Sequence, residues 1–217
     1  MKFNEQVTRI EPSPLRAFND MAHKEGAELF LTLGEPDFHT PQQVKDACGV
    51  ALENNKTFYA PTMGVAELRR EISAFEKQLN GVDYDENEIM ITTGSTEAIM
   101  SALFAVVNEG DEVIVPVPAF SMYKPVIELC KGRYVELNTA PDNFQITEKA
   151  LASVVSDKTK AIILTSPNNP TGTILDESPS SMFTNRSKNA ICSSSATNAT
   201  TSWFTTSADR ALSGFRI

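Results

Sequence analysis

From residue 88 onward the apolar positions of the chain alternate between two periods. "EIMITTGS", "DEVIVPVP", "RYVELNT" and "KAIILTSP" are short runs rich in β-branched residues and bounded by turn formers, which predicts four strands. Between them, "TEAIMSALFAVVNEG", "AFSMYKPVIELCKG" and "TEKALASVVS" carry apolar residues at helical spacing, and the first two end at Gly110 and Gly132. Strands alternating with helices of about 10 to 15 residues imply right-handed crossovers and a mostly parallel sheet with helices on both faces. The predicted fold class is therefore α/β. Two helices precede this region. In "TPQQVKDACGVALENN", residues 40–55, Thr40 is a candidate N-cap, Pro41 suits the first helical position, and Val44, Cys48, Ala51 and Leu52 share a face. In residues 64–80 the apolar residues Leu68, Ile72, Phe75 and Leu79 form a stripe, and Asn80-Gly81 supplies the stop.

The pattern breaks after Leu175. Of the 42 residues from Asp176 to Ile217, 16 are Ser or Thr, and neither period persists. The segment reads as the work of a different design from the α/β region before it.

Composition narrows the classes. A chain of 217 residues can form one domain with an appendage and bury a core without disulfides. Its 41% hydrophobic content is ordinary, and no apolar run approaches the roughly 18 to 20 residues of a membrane span. The first residues, "MKFNEQVTRIEPSPLRAF", lack a signal-peptide apolar core, so a cytoplasmic location is predicted. Cys48, Cys130 and Cys192 show no C-x-x-C spacing and predict neither a disulfide frame nor a metal site. A net charge of −9 repels phosphate backbones, which argues against a nucleic-acid partner. Any anion has to be held locally, by backbone and a few side chains.

In parallel α/β sheets ligands lie beyond the carboxyl ends of the strands, so the loops there are the ones to inspect. "TTGSTEA" puts Gly94, Ser95 and Thr96 at a predicted helix start, where backbone N–H groups, two hydroxyls and the helix dipole suit a phosphate. An ordinary helix cap uses the same residues. "VPVPAFSMY" puts Phe120 at the mouth of a strand, where its ring suits either a planar ligand or the core. In "TSPNNPTG", Asn168 and Asn169 precede Pro170 in a stiff loop; an amide there can aim its N–H at a fixed acceptor or simply make a turn.

Together with "LTLGEPDFHTP" (Leu31 to Pro41) and "KTFYAPTMGVAELR" (Lys56 to Arg69), these loops resemble, in order and spacing, the class I/II aminotransferases of fold type I, which use pyridoxal 5'-phosphate. The resemblance runs from about residue 10 to about residue 178. It implies that Gly94, Ser95 and Thr96 form the phosphate loop, that Phe120 stacks on the pyridine ring, and that Asn169 donates to the phenolic oxygen of the ring. It also implies that Tyr59 reaches the phosphate of a neighbouring subunit and that Gly34 lies against the substrate carboxylate, so the expected assembly is a homodimer. The expected substrates are an amino acid and a 2-oxo acid.

Three groups that the family requires are not found in the sequence: the Lys that forms the Schiff base and moves the proton, an Asp-x-x-Tyr strand, and a C-terminal Arg for the substrate carboxylate. Ser187-Lys188 lies only 19 residues after Asn169, far short of the family separation, so no catalytic residue is assigned. In the family, strands later in sequence lie between those matching "EIMITTGS" and "KAIILTSP"; without them a gap in the sheet is expected, with a poorly folded chain. Back-translation of "ATNATTSWFTT", read from the third base of each codon, permits Asp-Glu-Cys-Tyr-Asn-Gln-Leu-Val, an Asp-x-x-Tyr about 27 residues after Asn169. The expected organisation is thus an N-terminal arm and part of a small domain in residues 1–30, a truncated cofactor-binding large domain in 31–177, and an out-of-frame or disordered tail in 178–217. A non-catalytic binding or regulatory fragment and a same-fold carbon–sulfur lyase or decarboxylase are the competing functions. The bonds Asn169–Pro170 and Val117–Pro118 are expected to be cis.

Overall fold

The computed structural model describes residues 2–8, 10, 13–32, 34, 38–176, 190–196, 199–205 and 215–216. The helices in chain order are α1 (Glu5–Thr8), α2 (Pro14–Lys24), α3 (Gln42–Glu53), α4 (Ala66–Asn80), α5 (Ser95–Val106), α6 (Tyr123–Leu129) and α7 (Glu148–Val154). The strands are β1 (Glu112–Val117), β2 (Arg133–Asn138), β3 (Thr159–Thr165), β4 (Ala190–Ala196), β5 (Ala199–Thr205) and β6 (Phe215–Arg216). Two compact units result, one of Met1–Ile10 with Met63–Ile217 and one of Glu11–Thr62. The chain passes between the units at residues 10–11 and again at 62–63. Met63 belongs with the larger unit because its carbonyl accepts from the Ile91 N–H at 3.1 Å.

The larger unit is built on a six-stranded sheet in the order β2-β1-β3-β4-β5-β6. β1 is parallel to both β2 and β3, and β3 to β4, while β5 and β6 continue the sheet antiparallel. Alternation along the central strands decides the layers. Val113, Val115, Ala161 and Ile163 face one side and pack with Ile99, Leu103, Tyr123, Val126 and Ile127 of α5 and α6. Ile114, Ile162 and Leu164 face the other side and pack with Leu137, Ile146 and Leu151. Helices on both faces are what the sequence predicts for a parallel sheet, and the class is α/β.

The amino ends of β1 and β2 are tied by charge. Glu112 and Arg133 are register partners, with Arg133 Nη1 3.2 Å from Glu112 Oε1, and Ser156 Oγ donates to the other carboxylate oxygen at 2.5 Å. The carboxyl ends are left for the loops that carry chemistry.

Two expectations are corrected. "EIMITTGS" is not a strand: a 3-10 turn at Glu86–Glu88, capped by Asp85, leads to a single bridge at Ile89 and then to α5. A strand needs a neighbour to hydrogen-bond, and among the described residues none of the six strands lies along this run. The helix predicted over residues 64–80 is present as α4, and Leu68, Phe75 and Leu79 of its apolar stripe are exposed. The buried side carries Arg69 and Glu76 instead, with Arg69 Nη1 donating to the Glu86 carbonyl at 2.7 Å and Ser73 Oγ to the Tyr84 carbonyl at 2.5 Å. Val44, Cys48 and Leu52 of α3 are likewise exposed. Second, among the described residues no gap is left beside β3. β4 pairs along Ile162–Thr165, and β5 follows in residues of the β-favouring Thr, Trp and Phe types, so the edge groups of β3 find partners. Residues 177–189, with Ser187-Lys188, lie outside the described residues, as do 197–198, 206–214 and 217.

Candidate functional site

The carboxyl ends of β1, β2 and β3 lie side by side, and three loops leave them. The β1 loop begins at a cis Val117–Pro118 bond, and the β3 loop contains cis bonds at Ser166–Pro167 and Asn169–Pro170. Two of these are the bonds expected from the sequence; Ser166–Pro167 is a third. Thr139, buried just after β2, joins that strand end to β1: its N–H and its hydroxyl both donate to the Val117 carbonyl, at 3.2 and 2.9 Å.

The β3 loop is held by its own polar groups. The Asn168 N–H donates to the Thr173 carbonyl and the Asn168 carbonyl accepts from the Gly172 N–H, both at 2.8 Å. Its side-chain Nδ2 donates to Thr171 Oγ1 at 2.8 Å and to the Pro118 carbonyl at 3.0 Å. Gln145 grips the end of the loop from the other side, donating to the Ile174 carbonyl at 3.0 Å and accepting from the Asp176 N–H at 3.1 Å. Asn169 is exposed, and its carboxamide makes no hydrogen bond among the described residues. The two adjacent amides therefore differ in what remains available: that of Asn168 has both protons committed, and that of Asn169 has none committed.

Beneath these loops Tyr123, at the start of α6, is buried, and its hydroxyl lies 2.9 Å from the buried Thr165 Oγ1 at the end of β3. Its ring meets that of Phe120 edge to face, with centroids 5.7 Å apart and planes at 84°. Phe120 is half-buried against the core formed by α5 and α6. A cleft lined by Val115, Pro118, Tyr123, Thr139, Thr165 and Asn168 opens at this place.

Gly94 sits at the N-cap position of α5 with φ 83° and ψ 170°, a backbone region that only glycine enters freely. It brings no side-chain cap to the helix. Ser95 and Thr96 open the first turn, Ser95 half-buried and Thr96 exposed. Glu97 reaches back so that its carboxylate accepts from the Thr93 N–H, which steadies the turn from outside. An uncapped helix start with two hydroxyls and a glycine approach is suited to an anion.

Tyr59 and Gly34 belong to the smaller unit. Tyr59 is fully exposed, and Gly34 is exposed with nothing within 4 Å of where a Cβ would stand. Of the "GEPDF" stretch, Glu35, Pro36 and Asp37 lie outside the described residues. Sequence reasoning does not single out Tyr123, Thr165, Thr139, Gln145 or the structural duty of Asn168. Thr at the last position of a strand is a weak signal for such ties, and spacing alone cannot tell one Asn of a pair from the other. Among the described residues no helix is long and apolar enough to cross a membrane, and no cluster of three His, Cys, Asp or Glu could hold a metal ion.

Comparison with known proteins places this geometry. The model of the family described as aminotransferase class I and II matches residues 28–188. An aspartate aminotransferase of Pyrococcus abyssi is 38% identical over 177 residues, which is 81% of this chain and 46% of that protein. An aromatic-amino-acid aminotransferase of Thermococcus litoralis is 36% identical, again over 81% of this chain and 46% of the relative. Among solved structures, a double mutant of Thermus thermophilus aspartate aminotransferase superimposes with a TM-score of 0.77 at 32% identity, covering 85% of this chain and 50% of the other. The same enzyme solved with maleate gives 0.81 at 27% identity, over 90% and 60% of the two chains. The chain thus spans about half the length of the relatives it matches.

Proposed function

Because the chain belongs to the aminotransferase class I and II family, we propose that its residues 31–177 are the cofactor-binding part of a pyridoxal-phosphate-dependent transaminase, which moves an amino group from an amino acid to a 2-oxo acid. The residues of the β1 and β3 loops and of the α5 start suit the parts of that cofactor. The helix start at Gly94, Ser95 and Thr96 takes the phosphate, and Phe120 and the uncommitted amide of Asn169 take the ring. When bound, the cofactor supplies an electron sink for the substrate carbon. Tyr59 reaches the phosphate of a second protomer in a cytoplasmic homodimer, and Gly34 lies against the substrate carboxylate. The observation that carries the reading is the family match over residues 28–188, which includes the loop where Asn168 holds the backbone and the exposed Asn169 amide is left accessible to a ligand.

The same reading assigns residues from about 178 onward to out-of-frame translation and leaves the 217-residue chain without a Schiff-base Lys, hence without turnover. It is supported by the loss of both apolar periods after Leu175, where 16 of the 42 residues from Asp176 to Ile217 are Ser or Thr.

The test is to purify the chain and its frame-repaired counterpart, add pyridoxal phosphate, and follow amino transfer from glutamate or an aromatic amino acid to a 2-oxo acid. Removing groups that act as a unit takes a rate to near background, so the repaired protein turns over and the 217-residue chain does not. Turnover by the unrepaired chain after removal of host aminotransferases overturns the assignment, and so does a stop-dense alternative frame in the coding DNA.

A further inference from the structure

The loop after β1 carries Phe120, and the loop after β3 carries Asn169. One side chain spans the two loops. Asn168 Nδ2 has two protons, and each has an acceptor on a different segment: the Pro118 carbonyl on the β1 loop at 3.0 Å and Thr171 Oγ1 on its own loop at 2.8 Å. The main chain of Asn168 is fixed as well, through Thr173 and Gly172. The residue is therefore held within its own loop on three sides and extends one donor across the gap between adjacent strand ends. Pro118 has no N–H with which to return the bond, so the tie depends on an amide proton supplied from the β3 side.

We propose that Asn168 is a positioning residue whose carboxamide, as a strut between the loops of β1 and β3, sets the separation of Phe120 from Asn169 and so the width of the slot for a planar pyridine ring. The proposal rests on the cofactor-binding reading given above. It assigns the two Asn residues of "SPNNPTG" different work. Asn169 keeps its amide for the ligand, while Asn168 spends its own holding the place where that amide is used. Phe120 is two residues from the strut and Asn169 is adjacent to it, so slack in the strut moves the two ring-contacting groups relative to each other. Gly94, Ser95 and Thr96 lie at the start of α5, and none of the Asn168 hydrogen bonds reaches them.

Asn168→Asp is the informative variant. It preserves size and can accept from the Thr171 hydroxyl once that hydroxyl turns from Thr173 Oγ1, but at neutral pH it has no proton for Pro118 and sets a carboxylate against a carbonyl oxygen. With the 217-residue chain, equilibrium binding is measured for pyridoxal phosphate and for inorganic phosphate, together with hydrogen exchange at the Tyr123 amide, which bonds the Phe120 carbonyl at 3.2 Å. The expected result is roughly tenfold weaker binding of pyridoxal phosphate, with phosphate affinity unchanged within about twofold and faster exchange at Tyr123. Equal losses for both ligands, or an unchanged ratio of the two affinities, overturn the proposal, because a merely structural residue moves both together. If the unaltered chain binds pyridoxal phosphate no better than phosphate, the cofactor reading fails. The strut is then judged by exchange at Tyr123 alone: faster in the variant supports it, and unchanged refutes it.

Discussion

Removing the Tyr123 hydroxyl should destabilise the protein out of proportion to the single atom lost. Tyr123 and Thr165 are 3% and 8% exposed, and their oxygens are 2.9 Å apart. Tyr123→Phe keeps the ring and its edge-to-face packing on Phe120, but leaves the Thr165 hydroxyl buried and unpaired, which costs about 1–2 kcal/mol. Thr165→Val keeps the β-branched shape the strand prefers and strands the phenol instead, at about the same cost. Making both changes removes both polar groups from a site whose shape is nearly preserved, so the double variant should lose about 1 kcal/mol less than the sum of the two singles. For a chain of this size each kcal/mol corresponds to about 2–4 °C in Tm. Urea unfolding of the four proteins, read at constant m, gives the cycle. Strict additivity would mean that the two hydroxyls are not each other's partner in solution, and the account of how the β3 end is tied to α6 would be wrong.

Two further outcomes follow from the same structure. Gly94→Ala should cost about 1–3 kcal/mol through backbone conformation alone, because the residue has φ 83° and ψ 170° yet a Cβ there would meet nothing within 4 Å; an unchanged Tm would show that the turn relaxes freely. Stability should also fall in alkali. Burial pushes the Cys130 thiol from 9.0 up to about 11, and burial followed by the Glu136 charge pushes Tyr134 from 10.0 up to about 12. Both groups are held neutral in the fold, so their contribution is intact below pH 9 and is lost as pH rises from 9 toward about 11 for Cys130 and from 10 toward about 12 for Tyr134. Urea midpoints measured from pH 8 to 11.5 should slope downward, and Cys130→Ala should flatten the part between 9 and 11; a flat profile for the unaltered chain would contradict the burial of the thiol.

The parts legible in the sequence are those whose cause is local. "DEVIVPVP" and "KAIILTSP" are apolar at nearly every position because their strands are covered on both faces, and Gly81 ends α4 in the left-handed conformation the sequence expects of it. What was not legible depends on partners distant in the chain. "EIMITTGS" has the composition of a strand, but ladder bonds come from a neighbour, and composition cannot say whether one is there. The stripe of Leu68, Phe75 and Leu79 marks a face by hydrophobicity, whereas the structure buries the side of α4 that can satisfy the Glu86 and Tyr84 carbonyls. In the tail, a count of Ser and Thr misses that Thr, Trp and Phe also suit a pleated edge.

The site shows the same division in a single dipeptide. Asn168 and Asn169 are chemically identical and adjacent, and any pattern that selects one selects the other. They are separated by counting hydrogen-bond capacity. A carboxamide has two protons to give, and at Asn168 both are given, one inside the loop and one to the neighbouring strand end. A residue in that state cannot also serve a ligand without releasing a contact that holds the loop in place. The residue after it, turned over by the same stiff loop and left exposed, has its full capacity in hand. Pre-organisation at a binding site requires such pairs, one group spent on geometry so that another can remain unspent, and the expense falls on the residue whose acceptor is already part of the fold.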